Sequence, residues 1–252
     1  MAGPASRDAG AAAAKPRRGT LRRHFSREPS LLTSLVLVFP LFLIYQLGVL
    51  ITPTMNGADF ITRPLMDLLR FNLGAYLLLV GGLTAAFIVV ALYLRKKQEF
   101  DWRLFVPVLL ESTIYALTMG TLINFLMNPF ARHLAAGPPG TGPFDRFVLS
   151  LGAGVHEELI FRLVLLSAIA ALGYRVLRFP KFVAVAAAFV ISSLLFSAAH
   201  HVGAHGDPLQ LGVFVYRFLA GMVFAALFYF RSFAIAVYTH ALYDIYVMVI
   251  AG

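Results

Sequence analysis

Apolar residues gather along this chain in seven runs, at residues 31–51, 73–94, 104–127, 147–172, 181–200, 209–230 and 233–251. Each is close to the ~20 residues that a helix needs to cross the hydrocarbon core of a bilayer. The pattern predicts an all-α polytopic membrane bundle of about seven transmembrane helices. Residues 1–30 are rich in Ala, Gly, Pro, Arg and Lys and show no apolar period. They read as a disordered, basic, cytoplasmic tail. The first run is longer than a signal-peptide core, and Thr52-Pro53-Thr54 follows it in place of a small-residue cleavage site. It is therefore expected to be an uncleaved first helix, with Pro40 a candidate kink. Between the first two runs, Asp59, Arg63, Asp67 and Arg70 are interleaved with Leu65, Met66, Leu68 and Leu69. This suits a short amphipathic helix at the interface. The 128–146 connection, with Gly137-Pro138-Pro139-Gly140, reads as a loop. No internal repeat is seen. Gly81-Gly82, and Gly152 with Gly154, are positions where helices can approach closely.

Composition supports this class. Hydrophobic residues make up 60% of the chain and charged ones 13%, against about 25% charged in a soluble domain; the mean hydropathy is +0.80. A net charge of +9 raises the question of nucleic acid. However, seven of the 21 basic residues precede residue 30 and most others flank apolar runs. That is a topology signal, and no nucleic-acid binding is expected. The absence of cysteine excludes disulfides, thiolate metal sites and cysteine nucleophiles. With the N-terminus inside, the inner segments hold 15 Lys and Arg. The outer segments hold four: Arg63, Arg70, Arg132 and Arg146. By the positive-inside rule the N-terminus is expected in the cytoplasm and the C-terminus outside, in a bacterial inner membrane.

Polar groups inside the runs carry the candidate chemistry. The fourth run contains Gly152 to Arg162, reading GAGVHEELIFR. A charge at the centre of a membrane helix costs about 2.5–3.5 kcal/mol, and such groups are functional candidates by default. Glu158 and Arg162 are four apart and share a helix face. Glu157 is turned ~100° away and lacks that partner, which suits a general base. The fifth run ends in Phe196-Ser-Ala-Ala-His200, where the ring can pack under the imidazole. The seventh carries His240-Ala-Leu-Tyr-Asp244, with His240 and Asp244 on one face. Each motif alone has an ordinary explanation: a Glu–Arg pair can simply tie helices together, and a histidine at a helix end is commonly interfacial. Their conjunction on three helices is far more specific. A water or a metal can sit where they meet.

These three motifs resemble EExxxR, FxxxH and HxxxN/D of the CPBP family, the CAAX-prenyl endopeptidase and bacteriocin-processing (Abi) intramembrane proteases. The resemblance covers about residues 145–250. It implies a catalytic core formed by the last four helices, within 145–252, preceded by N-terminal transmembrane helices at 31–127. It also implies a glutamate peptidase acting on a membrane-associated protein or peptide. By position, Glu157 would activate water with help from His200, His240 and Asp244 would stabilise the oxyanion, and Glu158 and Arg162 would be supporting residues. No cofactor is then expected. The departure is Asp244, where the prenyl-protein endopeptidases commonly have Asn: an ionised Asp cannot donate to an oxyanion. A divalent metal held by Glu157, His200, His240 and Asp244 is the alternative, although the absence of HExxH excludes a conventional zincin.

Given the charge count, the cavity is expected to open outward, which suits removal of a C-terminal sorting or anchor segment from exported proteins. A non-catalytic immunity or interaction protein and a metal or proton transporter are the competing classes. The intact motifs disfavour the first and the lack of a repeat disfavours the second. The sequence sets neither substrate nor oligomeric state. Glu111 and Asn124 are read mainly as structural, and Arg217 as snorkelling toward the outer interface. His156 is unassigned, and His201 and His205 lie in the short outer loop before the sixth run, where they could gate the cavity mouth, bind adventitious metal or do nothing. Phe214, Phe218, Phe224, Phe228 and Phe230 are expected to face lipid or pack.

Overall fold

The computed structural model describes residues 29–52, 68, 72–127, 141–202 and 207–251. The basic tail up to residue 28, the expected amphipathic helix, most of the 128–146 loop and His205 lie outside them. Among the described residues every regular element is helical, and seven helices are long and apolar enough to cross a membrane. They are α1 (Leu31–Ile51), α2 (Leu73–Arg95), α3 (Trp102–Met127, opening with a 3-10 turn), α4 (Pro143–Val176), α5 (Lys181–Ala199), α6 (Leu211–Phe230) and α7 (Phe233–Ile250). Helix α1 continues through Pro40.

Helix α7 is the axis of the bundle and packs against α1, α3, α4 and α6. From Phe233 to Ala241 it is buried on every side. The core cluster around it draws on both halves of the chain, from Leu37 and Tyr45 to Tyr243 and Val247. The first helices thus form walls around the last four. Helix α2 is peripheral: Tyr76 is its buried residue, and the Tyr76 hydroxyl meets the Gln46 carbonyl of α1 at 2.7 Å. Val80 and Phe87 are partly covered by the bundle, Phe87 stacking on Phe39 at 4.0 Å, and most of its other apolar side chains are available to lipid.

Helix α4 is longer than its apolar run, with 34 residues. At ~1.5 Å per residue this exceeds the ~30 Å hydrocarbon thickness by about 20 Å. The extra first turn consists of capping residues that hydropathy ignores. Pro143 opens the helix, and the Asp145 carboxylate accepts from the Gly142 N–H at 3.0 Å. The same carboxylate bonds the Thr52 hydroxyl at the end of α1, and Arg146 donates to the Met248 carbonyl of α7 at 3.0 Å. Further along, Leu159–Leu166 and Leu172–Val176 wind as π-helix. Such wide turns close their hydrogen bonds one residue later than an α-turn and recur at functional sites.

Two glycines set how closely α4 lies on its neighbours. A Cβ on Gly152 would run into the Tyr45 ring of α1. On Gly154 it would meet backbone atoms of α7, 2.9 Å from the Ala241 nitrogen and 3.0 Å from the Val237 oxygen. Gly81 and Gly82 differ from expectation, since a Cβ at either has nothing within 4 Å. They lie on a peripheral helix that has no neighbour to receive there. Gly154→Ala is therefore expected to lower the unfolding temperature in detergent, because overpacking against immovable backbone costs about 1–3 kcal/mol. Gly82→Ala, which gains helix propensity without a clash, is expected to leave it unchanged or raise it.

Polar pairs brace the ends of the bundle. Arg231, between α6 and α7, grips Glu111 of α3 through both carboxylate oxygens, at 2.5 and 2.8 Å. Glu111 thus bridges helices. In α6, Arg217 reaches back along the helix toward the end expected for a snorkelling side chain and pairs there with Asp207 at 2.6 Å.

Candidate active site

The close approach at Gly154 holds the next turn of α4 against α7. On that turn Glu158 lies 0% exposed and points one oxygen at each of two cations. Its Oε1 is 2.7 Å from His240 Nδ1, and its Oε2 is 3.2 Å from Arg162 Nε. A carboxylate accepts only, so His240 carries a proton on Nδ1. Glu158 therefore supports Arg162, as the spacing implies, and also orients an imidazole on another helix through its Nδ1.

Arg162 is 1% exposed and is satisfied more by aromatic faces than by oxygen. Its guanidinium carbon lies 4.2 Å from the Phe196 ring centroid and 5.4 Å from that of Phe224. One nitrogen also donates to the Gly221 carbonyl at 3.3 Å. Such desolvated cation–π contacts are worth about 2 kcal/mol. Phe196 meets His200 edge to face, with centroids 5.0 Å apart, rather than lying flat beneath it. Phe224 stacks on His240 at 4.3 Å and 15°. It is the residue that sequence reasoning missed. A phenylalanine among several on an apolar helix gives no signal, although its spacing of three from Gly221 could have hinted at a shared face.

Glu157 is buried, and its Oε2 has no hydrogen-bond partner. Two imidazole nitrogens stand near it: His200 Nε2 at 3.6 Å and His240 Nε2 at 3.8 Å. Both are beyond direct hydrogen-bond reach and within the span of one shared water. The far nitrogen of His200 is tied to the Phe196 carbonyl at 2.8 Å, which turns Nε2 toward Glu157. Asp244 Oδ2 completes the group, 3.5 Å from His240 Nε2. All six residues singled out from the sequence thus converge, from α4, the end of α5 and α7. Among the described residues no group of three or more His, Asp or Glu side chains has the arrangement of a metal centre.

Among the described residues, His156 and His201 lie apart from this group. His156, one residue before the glutamates, is buried against Tyr45 and Phe42. There it lines a small apolar cavity between α1, α2 and α4. His201 faces the loop before α6, with Nδ1 3.0 Å from the Asp207 carbonyl.

Residues 139–246 match the family model described as type II CAAX prenyl endopeptidase Rce1-like. No curated protein and no solved structure matches the chain. The match covers a little under half of the 252 residues. It includes all three motifs and agrees with the CPBP resemblance drawn from them. Residues 139–246 thus resemble the Rce1-like CAAX proteases, a peptide-hydrolase family, and they are set within a bundle of seven membrane-length helices.

Proposed function

We propose that the protein hydrolyses a peptide bond of a membrane-associated substrate by glutamate-activated water, with Glu157 as the base. The observation that carries this reading is the unpartnered Oε2 of Glu157, buried and faced by two imidazole nitrogens at 3.6 and 3.8 Å. A water in that gap can donate to Glu157 and be oriented by His200. As its proton passes to Glu157, its oxygen attacks the scissile carbonyl carbon. The carbonyl oxygen gains the charge and accepts from Nε2–H of a doubly protonated His240, whose Nδ1–H stays on Glu158. The proton held by Glu157 then moves to the leaving amine. Asp244, in its protonated form, adds a second donor to the oxyanion; ionised, it orients His240 instead. A fixed donor aimed at developing charge is the largest single contribution in many hydrolases.

The charge bias along the chain supports a site opening on the non-cytoplasmic face. There an already exported protein would lose a C-terminal sorting or anchor segment. The test compares membrane proteomes of cells carrying wild-type protein and Glu157→Ala. Uncut precursors should accumulate with the variant, and identical protein termini in both would overturn the reading. A reporter fused to the C-terminus should be active outside the cytoplasm; a cytoplasmic signal would reverse the proposed opening.

A further inference from the structure

One cation beside the site has no part in the reaction above. Arg217 lies six residues into α6, ~9 Å below its first residue at 1.5 Å per residue. Gly221 and Phe224 follow it at spacings of four and seven, so the three share a helix face. Gly221 accepts from Arg162 and Phe224 stacks on His240, so this face is the one that walls the site. The charge of Arg217 acts on both Glu157 and His200. One guanidinium nitrogen, Nη2, pairs with Asp207 at 2.6 Å. The other, Nη1, is buried and makes no hydrogen bond. Asp207 is 54% exposed and Arg217 22%, so the pair opens to water mainly on its acidic side, while Nη1 itself is covered.

A buried guanidinium nitrogen without an acceptor leaves a donor unsatisfied, at a cost that calls for a reason. Guanidinium is also the group best matched to a carboxylate, which it can grip with two parallel hydrogen bonds. We propose that Arg217 is the receptor for a carboxylate of the bound substrate and so sets where along the peptide the cut falls. The proposal rests on the peptidase reading and names the substrate group that this site recognises. The carboxylate can be the C-terminal one or an Asp or Glu side chain near the cut. Asp207 holds Arg217 in position until the substrate anion arrives.

The experiment measures binding separately from hydrolysis. Glu157→Gln protein in nanodiscs is titrated with fluorescent N-dodecanoyl octapeptide libraries of mixed sequence. One library ends in a free carboxylate, one in a carboxamide, and one in a carboxamide with Asp at the penultimate position. The free-acid library should bind at least tenfold more tightly than the plain amide. Binding of the Asp-bearing amide as tight as the free acid would assign the contact to side-chain carboxylates. In Glu157→Gln/Arg217→Gln the preference should vanish, whereas Glu157→Gln/Asp207→Asn, which breaks the same ion pair from its other side, should keep it. Loss of the preference in both double variants would reduce Arg217 to a loop brace and overturn the proposal. So would equal binding of all three libraries, or a preference that survives without Arg217. Wild-type protein is assayed for hydrolysis on the same libraries. Carboxylate preference without any cleavage would sink the peptidase reading and leave the carboxylate site standing.

Discussion

Glu157→Gln is expected to lower the hydrolysis rate by about 10²–10⁴-fold, the usual contribution of a positioned general base, while the protein stays folded. The substitution keeps the shape of the side chain and removes its basicity. Because Glu157 Oε2 makes no hydrogen bond, nothing structural is lost with it. With no hydrogen bond to lose and the amide matching the carboxylate in shape, thermal stability should change by less than about 1 kcal/mol. The measurement is a single-turnover rate on a substrate found in the proteome comparison, alongside an unfolding curve in detergent. A variant that unfolds instead, or one that still cuts at the wild-type rate, would remove Glu157 from the base role. A chelator added to the wild-type reaction separates the two water-activation chemistries: insensitivity fits glutamate alone, and loss of rate recovered by a divalent cation fits the metal alternative.

The opposite outcome is expected five residues along. Arg162→Met should destabilise the bundle by about 3–5 kcal/mol, the cost of breaking a buried pair from one side. Glu158 would keep His240 and lose its other cation, in a place that no water reaches. The flat faces of Phe196 and Phe224 would lose the guanidinium between them. Arg162→Lys should rescue little, since a point charge cannot lie on two rings and also reach the Gly221 carbonyl. Membrane abundance and unfolding temperature report the loss. Glu158→Gln/Arg162→Met should recover part of it by removing the stranded acid. Full stability in Arg162→Met would show that the aromatic cage and the ion pair are dispensable.

The contrast between adjacent glutamates was legible in the sequence because helix geometry is strict. A spacing of four pairs Glu158 with Arg162, and one step of ~100° leaves Glu157 out. The seven helices were legible for a similar reason, since bilayer thickness fixes a length that apolar runs reproduce to within a few residues. The hold of Glu158 on His240 was not, because it joins residues 82 apart and nothing local in either stretch announces it. Phe224 was hidden by abundance, being one of 23 phenylalanines. The ends of α4 were misjudged because Asp145 and Arg146 act as cap and tie, roles that hydropathy scores as loop. Gly81-Gly82 misled in the other direction: small residues permit close approach, but only a neighbour makes it happen.

The π-helical turns of α4 give that helix two independent registers. Before them, Gly152 and Gly154 lock the chain to α1 and α7. Beyond the first of them, Leu159–Leu166, Ala170 joins a small cluster with Ala188, and Gly173 lies against Ala184 of α5. In a uniform α-helix these two sets of contacts would dictate each other, since every residue added or removed turns the remainder of the helix by ~100°. The wide turns act as a phase adjuster between them. Losing a single residue from Leu159–Leu166 would let one turn tighten to α-helical closure. The glutamates and the far half of the helix would then both keep their azimuth, and only the wide turn would be lost. In this fold the glutamate pair is indexed to its bundle from one side only, and the rest of its own helix is free to be fitted elsewhere.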